Sequence, residues 1–316
     1  MKLASVIILN WNGLQFLEEC LNSVINQTYE NYEIIFVDNA SKDGSVEFVK
    51  TKFPSIKIIV NDKNYGFAKG VNIGIKHAKG EYILLLNNDA IADKNWISEL
   101  VKAAELNDNI GMVASKILLY NERNKINSTG TLMHTNGAAM LRDYYKKDTE
   151  SREIEEVFGP NGAACLFKRE LFKNVGYYDE DYFMYSEETD LAWRAQIAGW
   201  KCVYNPRAIA YHKFSVERSL REVSVRYNLR NTIWTFFKNF SLYYQIKFLP
   251  NHIFYLVFFM ILYFKSRKSI VPLKAVFDGL KGLPKIVNKH HEVQRLRKVD
   301  DLTLVKWFKP YPYTSQ

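Results

Sequence analysis

The sequence predicts an α/β protein: a mostly parallel sheet flanked by helices, followed by a basic, helical C-terminal extension. Three observations predict it. Short apolar runs at 3–9, 32–37, 56–60, 81–86 and 110–115 alternate with helical patterns, as in βαβ units. Runs such as Ile83-Leu84-Leu85-Leu86 are apolar throughout, as strands covered on both faces are. Charge also divides along the chain. Residues 1–200 hold 22 Lys+Arg against 28 Asp+Glu, whereas residues 201–316 hold 21 against 6.

The elements follow in order. Leu3–Leu9 reads as a buried strand rather than a signal peptide, because Asn10-Trp11-Asn12 follows with no small-residue cleavage site. Leu14, Leu17, Leu21 and Val24 recur at helical spacing, with Cys20 and Ile25 beside them. Asp93 is the expected N-cap of a helix over 94–107. From 117 to 168 the pattern changes to mixed strands and loops, with a turn at Gly159-Pro160-Asn161-Gly162. A helix over 187–198 closes near Gly199, and short strand-like runs follow at 201–204 and 208–212. Beyond about 216 the chain reads as helical. Ile253–Phe264 is a run of twelve apolar residues. A spanning helix needs roughly 20, so this run is expected to be buried or interfacial. Residues 265–298 carry ten Lys/Arg with apolar positions between them. That suits helices on an anionic membrane surface, and equally a helical tail with a solvated basic face.

Composition removes several classes of function. The chain has 316 residues, is 47% apolar and 24% charged, and carries a net charge of +9. These are globular proportions, which exclude a disordered chain and a disulfide mini-protein. Zinc-finger spacing and RNP-like motifs are absent from the sequence, so no nucleic-acid partner is expected. Cys20, Cys165 and Cys202 are odd in number and far apart. Free thiols in a reducing, cytoplasmic setting are expected, with Cys20 buried on its helix.

In open parallel sheets, ligands bind at the carboxyl ends of the strands. The residues there are Asn10-Trp11-Asn12, Asp38-Asn39, the segment from Asn61, and Asn87-Asn88-Asp89. Asp38 could accept the N–H of a pyrimidine or a ribose hydroxyl, or close an Asx-turn. Gly66, Gly70 and Gly74 allow close backbone approach, and Lys69 could meet a phosphate or face solvent. Neither G-x-G-x-x-G nor G-x-x-x-x-G-K-[ST] occurs, so nicotinamide and P-loop chemistry are unsupported. Asp89 could hold a divalent cation bridging a diphosphate, or be a turn residue. Glu187-Glu188-Thr189-Asp190 stands at a predicted helix start, where acids suit the dipole and Asp190 can pair with Arg194. One of these carboxylates could instead be a general base, its pKa raised by its neighbour. His212 is either structural or a metal or phosphate partner.

The segments Ser5–Asn12, Val37–Ser45, Asn64–Gly74, Leu85–Asp89 and Phe183–Leu191, with Arg194 and Ala198-Gly199, resemble the family 2 glycosyltransferases. The resemblance is to their rhamnosyltransferase-like group in particular. It implies a Rossmann-like GT-A domain over 1–215, with a nucleotide half at 1–115 and an acceptor half at 116–215. The resemblance fades after about 240; from composition alone, residues 216–316 are expected to be a helical, basic region that associates with a membrane. The resemblance makes Asp38 the base-recognising residue. Leu9, Asn10, Trp11, Asn64, Lys69 and Asn88 complete the expected nucleotide-sugar set. Asn87–Asp89 matches a metal-binding D-x-D, with Asp89 and His212 as ligands of Mg²⁺ or Mn²⁺. Glu187-Glu188 matches a Glu-Asp pair whose second member is the base, with Glu187 and Asp190 as alternatives. Asn87 departs from the first Asp of D-x-D, and Glu188 from the usual Asp. Asn161, Gly162 and Trp193 are expected on the acceptor side.

The expected function is therefore inverting, non-processive transfer of a sugar, with rhamnose a candidate, from a UDP- or dTDP-sugar. The acceptor would be a glycan or lipid-linked glycan in cell-surface polysaccharide synthesis. A cytoplasmic protein, peripheral on the inner face of the membrane, fits the basic tail. A sugar-phosphate nucleotidyltransferase would need a Gly-rich, Arg-containing first loop, and a processive synthase a Q-x-x-R-W motif and long spans. The reading from another class is a non-catalytic nucleotide-sugar binder or membrane scaffold.

Overall fold

The computed structural model describes residues 1–149, 153–214 and 221–312. The first half runs β1 (Ala4–Asn10), α1 (Leu14–Ile25), β2 (Tyr32–Asp38), α2 (Ser45–Lys52), β3 (Lys57–Val60), α3 (Gly66–His77), β4 (Tyr82–Leu86), β5 (Ala90–Ala92) and α4 (Trp96–Ala104). Then come β6 (Ile110–Leu119), β7 (Ile126–Ser128), β8 (Thr131–His134), β9 (Ala139–Leu141), β10 (Glu155–Val157), β11 (Ala164–Lys168), α5 (Arg169–Val175), α6 (Glu187–Ile197) and β12 (Lys201–His212). The C-terminal part is α7 (Glu222–Asn239), α8 (Leu242–Arg267), α9 (Val271–Arg295), α10 (Asp301–Val305) and β13 (Phe308–Lys309).

The main sheet has the order β10-β12-β6-β11-β4-β1-β2-β3. The run β4-β1-β2-β3 at one end of the sheet is parallel, as expected from the continuous apolar strands. β11 then runs antiparallel between β4 and β6. Alternate residues feed two cores. Val6, Ile8 and Phe36 meet Leu17, Cys20, Leu21 and Val24 on one face, while Ile7, Ile35 and Val37 meet Val71 and Ile75 on the other. A second sheet, β13-β8-β9, joins the C-terminal part to the middle of the chain.

Three expectations change. Asp93 closes a turn ahead of α4 by accepting from the Asn95 N–H (2.9 Å), and the cap position itself is Asn95. The runs at 201–204 and 208–212 form one strand, with a register break between Asn205 and Ile209. Gly70 and Gly74 serve packing: a Cβ at either would lie 2.6 Å from Leu9 or Ile7, so both let α3 close on β1. All three cysteines are free and buried.

The boundary expected at 215 is crossed by tight contacts. Phe183, Tyr185 and Ser186, just ahead of α6, adopt left-handed φ values of 64°, 67° and 63°. Each such residue costs about 1–3 kcal/mol and persists only where its surroundings hold it. Here α7 does the holding. The Asn231 side-chain nitrogen donates to the carbonyls of Tyr182 (3.1 Å), Met184 (2.9 Å) and Tyr185 (2.7 Å). Arg230 adds a bond to Tyr182 O (2.7 Å). On the other side, Phe183 O accepts from Phe67 N (2.6 Å), and a Cβ on Gly66 (φ +76°) would sit 2.4 Å from that oxygen.

Asn231→Ala strands buried carbonyls, each worth about 1–3 kcal/mol, and should lower the denaturant midpoint accordingly. A midpoint equal to the wild type would mean that the loop is held by other contacts.

Candidate active site

The carboxyl ends of β1, β2 and β4 carry a chain of polar side chains. Asn10 Nδ2 donates to Asp38 Oδ2 (2.9 Å), and Asn88 Nδ2 donates to Asn10 Oδ1 (2.7 Å). Asp38 is fully buried, and its Oδ1 also accepts from Ser41 N (2.7 Å). The Asx-turn reading of Asp38 is thus present, and a second lone pair remains on each carboxylate oxygen for a ligand. Asn64 Oδ1 accepts from Gly66 N (2.8 Å), Leu9 packs on Gly70, and Trp11 is exposed.

The β11 strand starts at this same edge, because Ala164 pairs with Leu86 and Asn87 N donates to Ala163 O (2.8 Å). Asn161 and Gly162 therefore stand close to the strand ends. They line a cavity of about 560 Å³ together with Asn87, Glu187, Glu188 and His212. Two predicted segments nearly 100 residues apart in sequence, Asn87–Asp89 and Glu187–Glu188, thus reach one cleft.

His212 ends β12 and turns its Nε2 to Asp89 Oδ1 at 3.1 Å, while Nδ1 lies 3.0 Å from Asn127 Oδ1. A carboxylate facing a ring nitrogen, with the other nitrogen anchored, is a donor pair suited to a divalent cation. Among the described residues no group of three or more His, Cys, Asp or Glu side chains could hold a metal. The pair thus fits an ion completed by phosphate oxygens and water.

The carboxylates of α6 differ sharply over one turn. Burial pushes the Glu187 carboxyl well above the ordinary glutamate range, and the adjacent Glu188 charge pushes it further. Glu187 Oε2 is buried without a hydrogen-bond partner. Burial raises Glu188 as well, while backbone N–H groups at the helix start pull it down. Asp190 goes the other way. Burial pushes it up, but Lys238 and Arg194 outweigh this and hold it below the ordinary range. Lys238 Nζ lies 2.7 Å from Asp190 Oδ1, and Arg194 Nη2 lies 2.9 Å from Oδ2.

Of the expected site residues, Asn161, Gly162, Glu187, Glu188 and His212 line the cavity, whereas Leu9, Asn10, Trp11, Asp38, Asn64, Lys69, Asn88, Asp89, Asp190 and Trp193 do not. Asp190 is fully buried in that ion cluster, so it anchors α6 and is not available as a base. Trp193 packs in the core against Phe158, Phe240 and Phe308, at ring distances of 5.0, 5.1 and 5.6 Å. Lys69 rests its ammonium over the Tyr65 ring at 4.1 Å and does not line the cavity.

Conversely, Phe67, Asn127, Tyr144, Tyr185, Phe214 and Asn228 line the cavity and were not anticipated. Tyr185 stands two residues before Glu187, so adjacency could have found it. Asn127 and Asn228 carry no local signal, because they arrive from β7 and α7.

The family model described as "Glycosyl transferase family 2" matches residues 5–176. An uncharacterized glycosyltransferase of Haemophilus influenzae is 37% identical over 124 residues, covering 38% of each chain. The poly-beta-1,6-N-acetyl-D-glucosamine synthase of Staphylococcus epidermidis is 25% identical over 209 residues, 66% of this chain and 49% of that protein. The chain thus spans half or less of these relatives' length. Among solved structures, residues 1–349 of S. aureus TarS align with TM-score 0.60 at 16% identity, covering 94% of this chain and 88% of that one. GalNAc-T7, solved with UDP, GalNAc and Mn²⁺, aligns with TM-score 0.61 at 18% identity, covering 80% and 54%. The shared fold is the GT-A arrangement that the resemblance implied. With the family model covering more than half of the residues, the chain belongs to glycosyl transferase family 2.

Proposed function

We propose that the chain is an inverting, non-processive glycosyltransferase that moves a sugar from a UDP- or dTDP-sugar to a hydroxyl of a glycan or lipid-linked glycan. Rhamnose is a candidate donor sugar, and cell-surface polysaccharide synthesis the setting. One observation carries the reading. A single cavity is lined by the Glu187-Glu188 pair and by His212, itself hydrogen-bonded to Asp89. The complexes of GalNAc-T7 with UDP and Mn²⁺, and of a Pyrobaculum calidifontis mannosyltransferase with GDP-Man and Mn²⁺, support a nucleotide-sugar donor and a divalent ion. Three buried free thiols are consistent with a cytoplasmic setting.

Asp38, Asn10 and Asn88 would receive the base and ribose, and Asn161 with the Tyr144 and Tyr185 rings the acceptor. Asp89 and His212 would hold Mg²⁺ or Mn²⁺, which supplies charge neutralisation at the diphosphate when bound. Glu188 is the base. Burial raises both carboxyls of the pair, and the Glu188 charge raises Glu187 further. The Glu188 carboxylate takes the acceptor hydroxyl proton as that oxygen bonds to the anomeric carbon and the bond to the diphosphate breaks. The carboxylates among the described cavity-lining residues are neighbours on one helical turn, with none across the cleft. That favours single displacement with inversion, by analogy with glycosidase geometry.

Glu188→Gln should lower kcat about 10²–10⁴-fold and leave nucleotide binding intact. In the wild type, kcat/KM should fall on the acid side through a pKa above that of ordinary glutamate. Full activity in Glu188→Gln would remove Glu188 as the base, and nucleotide binding without transfer in the wild type would establish a non-catalytic binder.

Calorimetric titration with UDP, dTDP, GDP and CDP should give Mn²⁺-dependent binding of UDP or dTDP that is lost in Asp38→Ala and Asp89→Ala. Binding of no nucleotide by folded protein would overturn the donor site.

Glu187→Gln should raise thermal stability at neutral pH. A carboxyl with a raised folded pKa stabilises below its unfolded pKa, about 4.3, and loses that contribution as pH rises through the folded value. The gain should therefore vanish near pH 4, and a pH-independent difference would contradict the raised pKa.

A further inference from the structure

The transfer reading leaves one large feature unused. Helix α8 is 26 residues long and contains no acidic residue. Ile246, Leu249, Ile253, Val257, Ile261 and Phe264 recur every three or four positions along it. All six are exposed, from 37% at Leu249 to 68% at Ile246. At 1.5 Å per residue the stripe is about 27 Å long. A contiguous apolar surface of this kind is uncommon on a protein that meets only water.

Cations frame the stripe. Lys247 stands at one end, and Lys265, Arg267 and Lys268 at the other, all exposed. The adjoining α9 repeats the pattern, with Leu273, Phe277 and Leu280 exposed beside Lys274 and Lys281.

By length and composition α8 could cross a membrane. Its other side argues against a crossing. Tyr244, Phe248, His252, Tyr255 and Tyr263 are buried against the body of the protein. The His252 ring stacks on Phe236 at 4.3 Å, and its Nδ1 is 2.7 Å from Asn136 O. A crossing would break these contacts and leave an imidazole in hydrocarbon. It would also put Lys247 and the Lys265–Lys268 cluster on opposite sides of the bilayer. A helix lying in the interface keeps the buried side on the protein and brings both cationic ends to one leaflet.

We infer that the exposed stripe of α8 docks in-plane on an anionic bilayer, its apolar residues entering the acyl boundary and its lysines and arginine meeting the headgroups. Complementary charge selects the partner: the part of the chain after residue 200 carries 21 Lys+Arg against 6 Asp+Glu. A single helix separates the stripe from the cleft. Leu229 of α7 packs with Tyr255 of α8, and the preceding Asn228 lines the cavity. A docked protein therefore holds its cavity close to the membrane, where a lipid-linked acceptor would lie. That last step rests on the transfer reading, whereas the lipid contact does not.

The test is vesicle flotation of the full chain. Wild type should float with phosphatidylglycerol–phosphatidylcholine vesicles, more weakly at high salt, and far less with phosphatidylcholine alone. Ile253→Glu/Val257→Glu/Ile261→Glu alters only exposed positions, so its unfolding midpoint should match the wild type while flotation falls at least about tenfold. Lys265→Glu/Arg267→Glu/Lys268→Glu should remove the preference for the anionic vesicles. Nucleotide titration of the apolar variant should be unchanged, which separates failure of the docking inference from failure of the donor site. Absence of wild-type flotation, or equal flotation of wild type and the apolar variant, overturns the inference. A two-chain mass in sedimentation, lost in that variant and unaccompanied by flotation, overturns it in favour of a second copy.

Discussion

A buried ion cluster under the first turn of α6 holds the structure together. Asp190 takes Arg194 on one oxygen and Lys238 on the other, and Lys238 also meets Asp179 at 2.6 Å. Lys289 closes the set on Asp179 and Asp181. Desolvating such charges costs several kcal/mol each unless the partners are well placed. Here they are, and the lysines and arginine outweigh the burial that would otherwise raise Asp179 and Asp190. The cluster ties the loop at Asp179, α6 and the two C-terminal helices α7 and α9 to one point. Asp190, Lys238 and Asp179 each hold two partners of opposite charge.

That anchoring makes the neighbouring strain tolerable. One turn of helix holds a carboxylate kept ionised by two cations and, three residues earlier, a carboxyl whose outer oxygen has no partner. The left-handed run before it is unfavourable as well. Natural proteins place such local costs at functional sites and offset them elsewhere. Here Asn231 and the Asp190 cluster provide the offset, and Asn231, Lys238 and Lys289 all come from beyond residue 215.

The legible parts of the fold were those with local causes. The five apolar runs became β1, β2, β3, β4 and β6, because strands covered on both faces leave a continuous apolar record. The polar residues Asn10, Asp38 and Asn88 after those strands met along one edge, because the parallel run puts their carboxyl ends there. Asp190 was misjudged for the opposite reason. Its pairing with Arg194 was visible at helical spacing, but Lys238, which completes its neutralisation, comes from another helix. Trp193 differed similarly: residue type suggested a ligand contact, and tertiary packing assigned it to an aromatic core. The twelve-residue apolar run was too short a view of α8, which extends through Pro250 and His252 and is apolar on its outer side.

The segment around Phe308 has a consequence for how the protein is made. Its ring packs within 4.9–5.6 Å of Trp193, Phe240, Tyr244 and Phe248, and β13 pairs with β8. A chain leaving the ribosome from its N-terminus has every residue of the Asn10–Asp38–Asn88 edge in hand early. The floor beneath α6 cannot close until Phe308 has emerged. Until then the nascent chain has its polar strand-end edge but not the packed support of the Glu187-Glu188 pair.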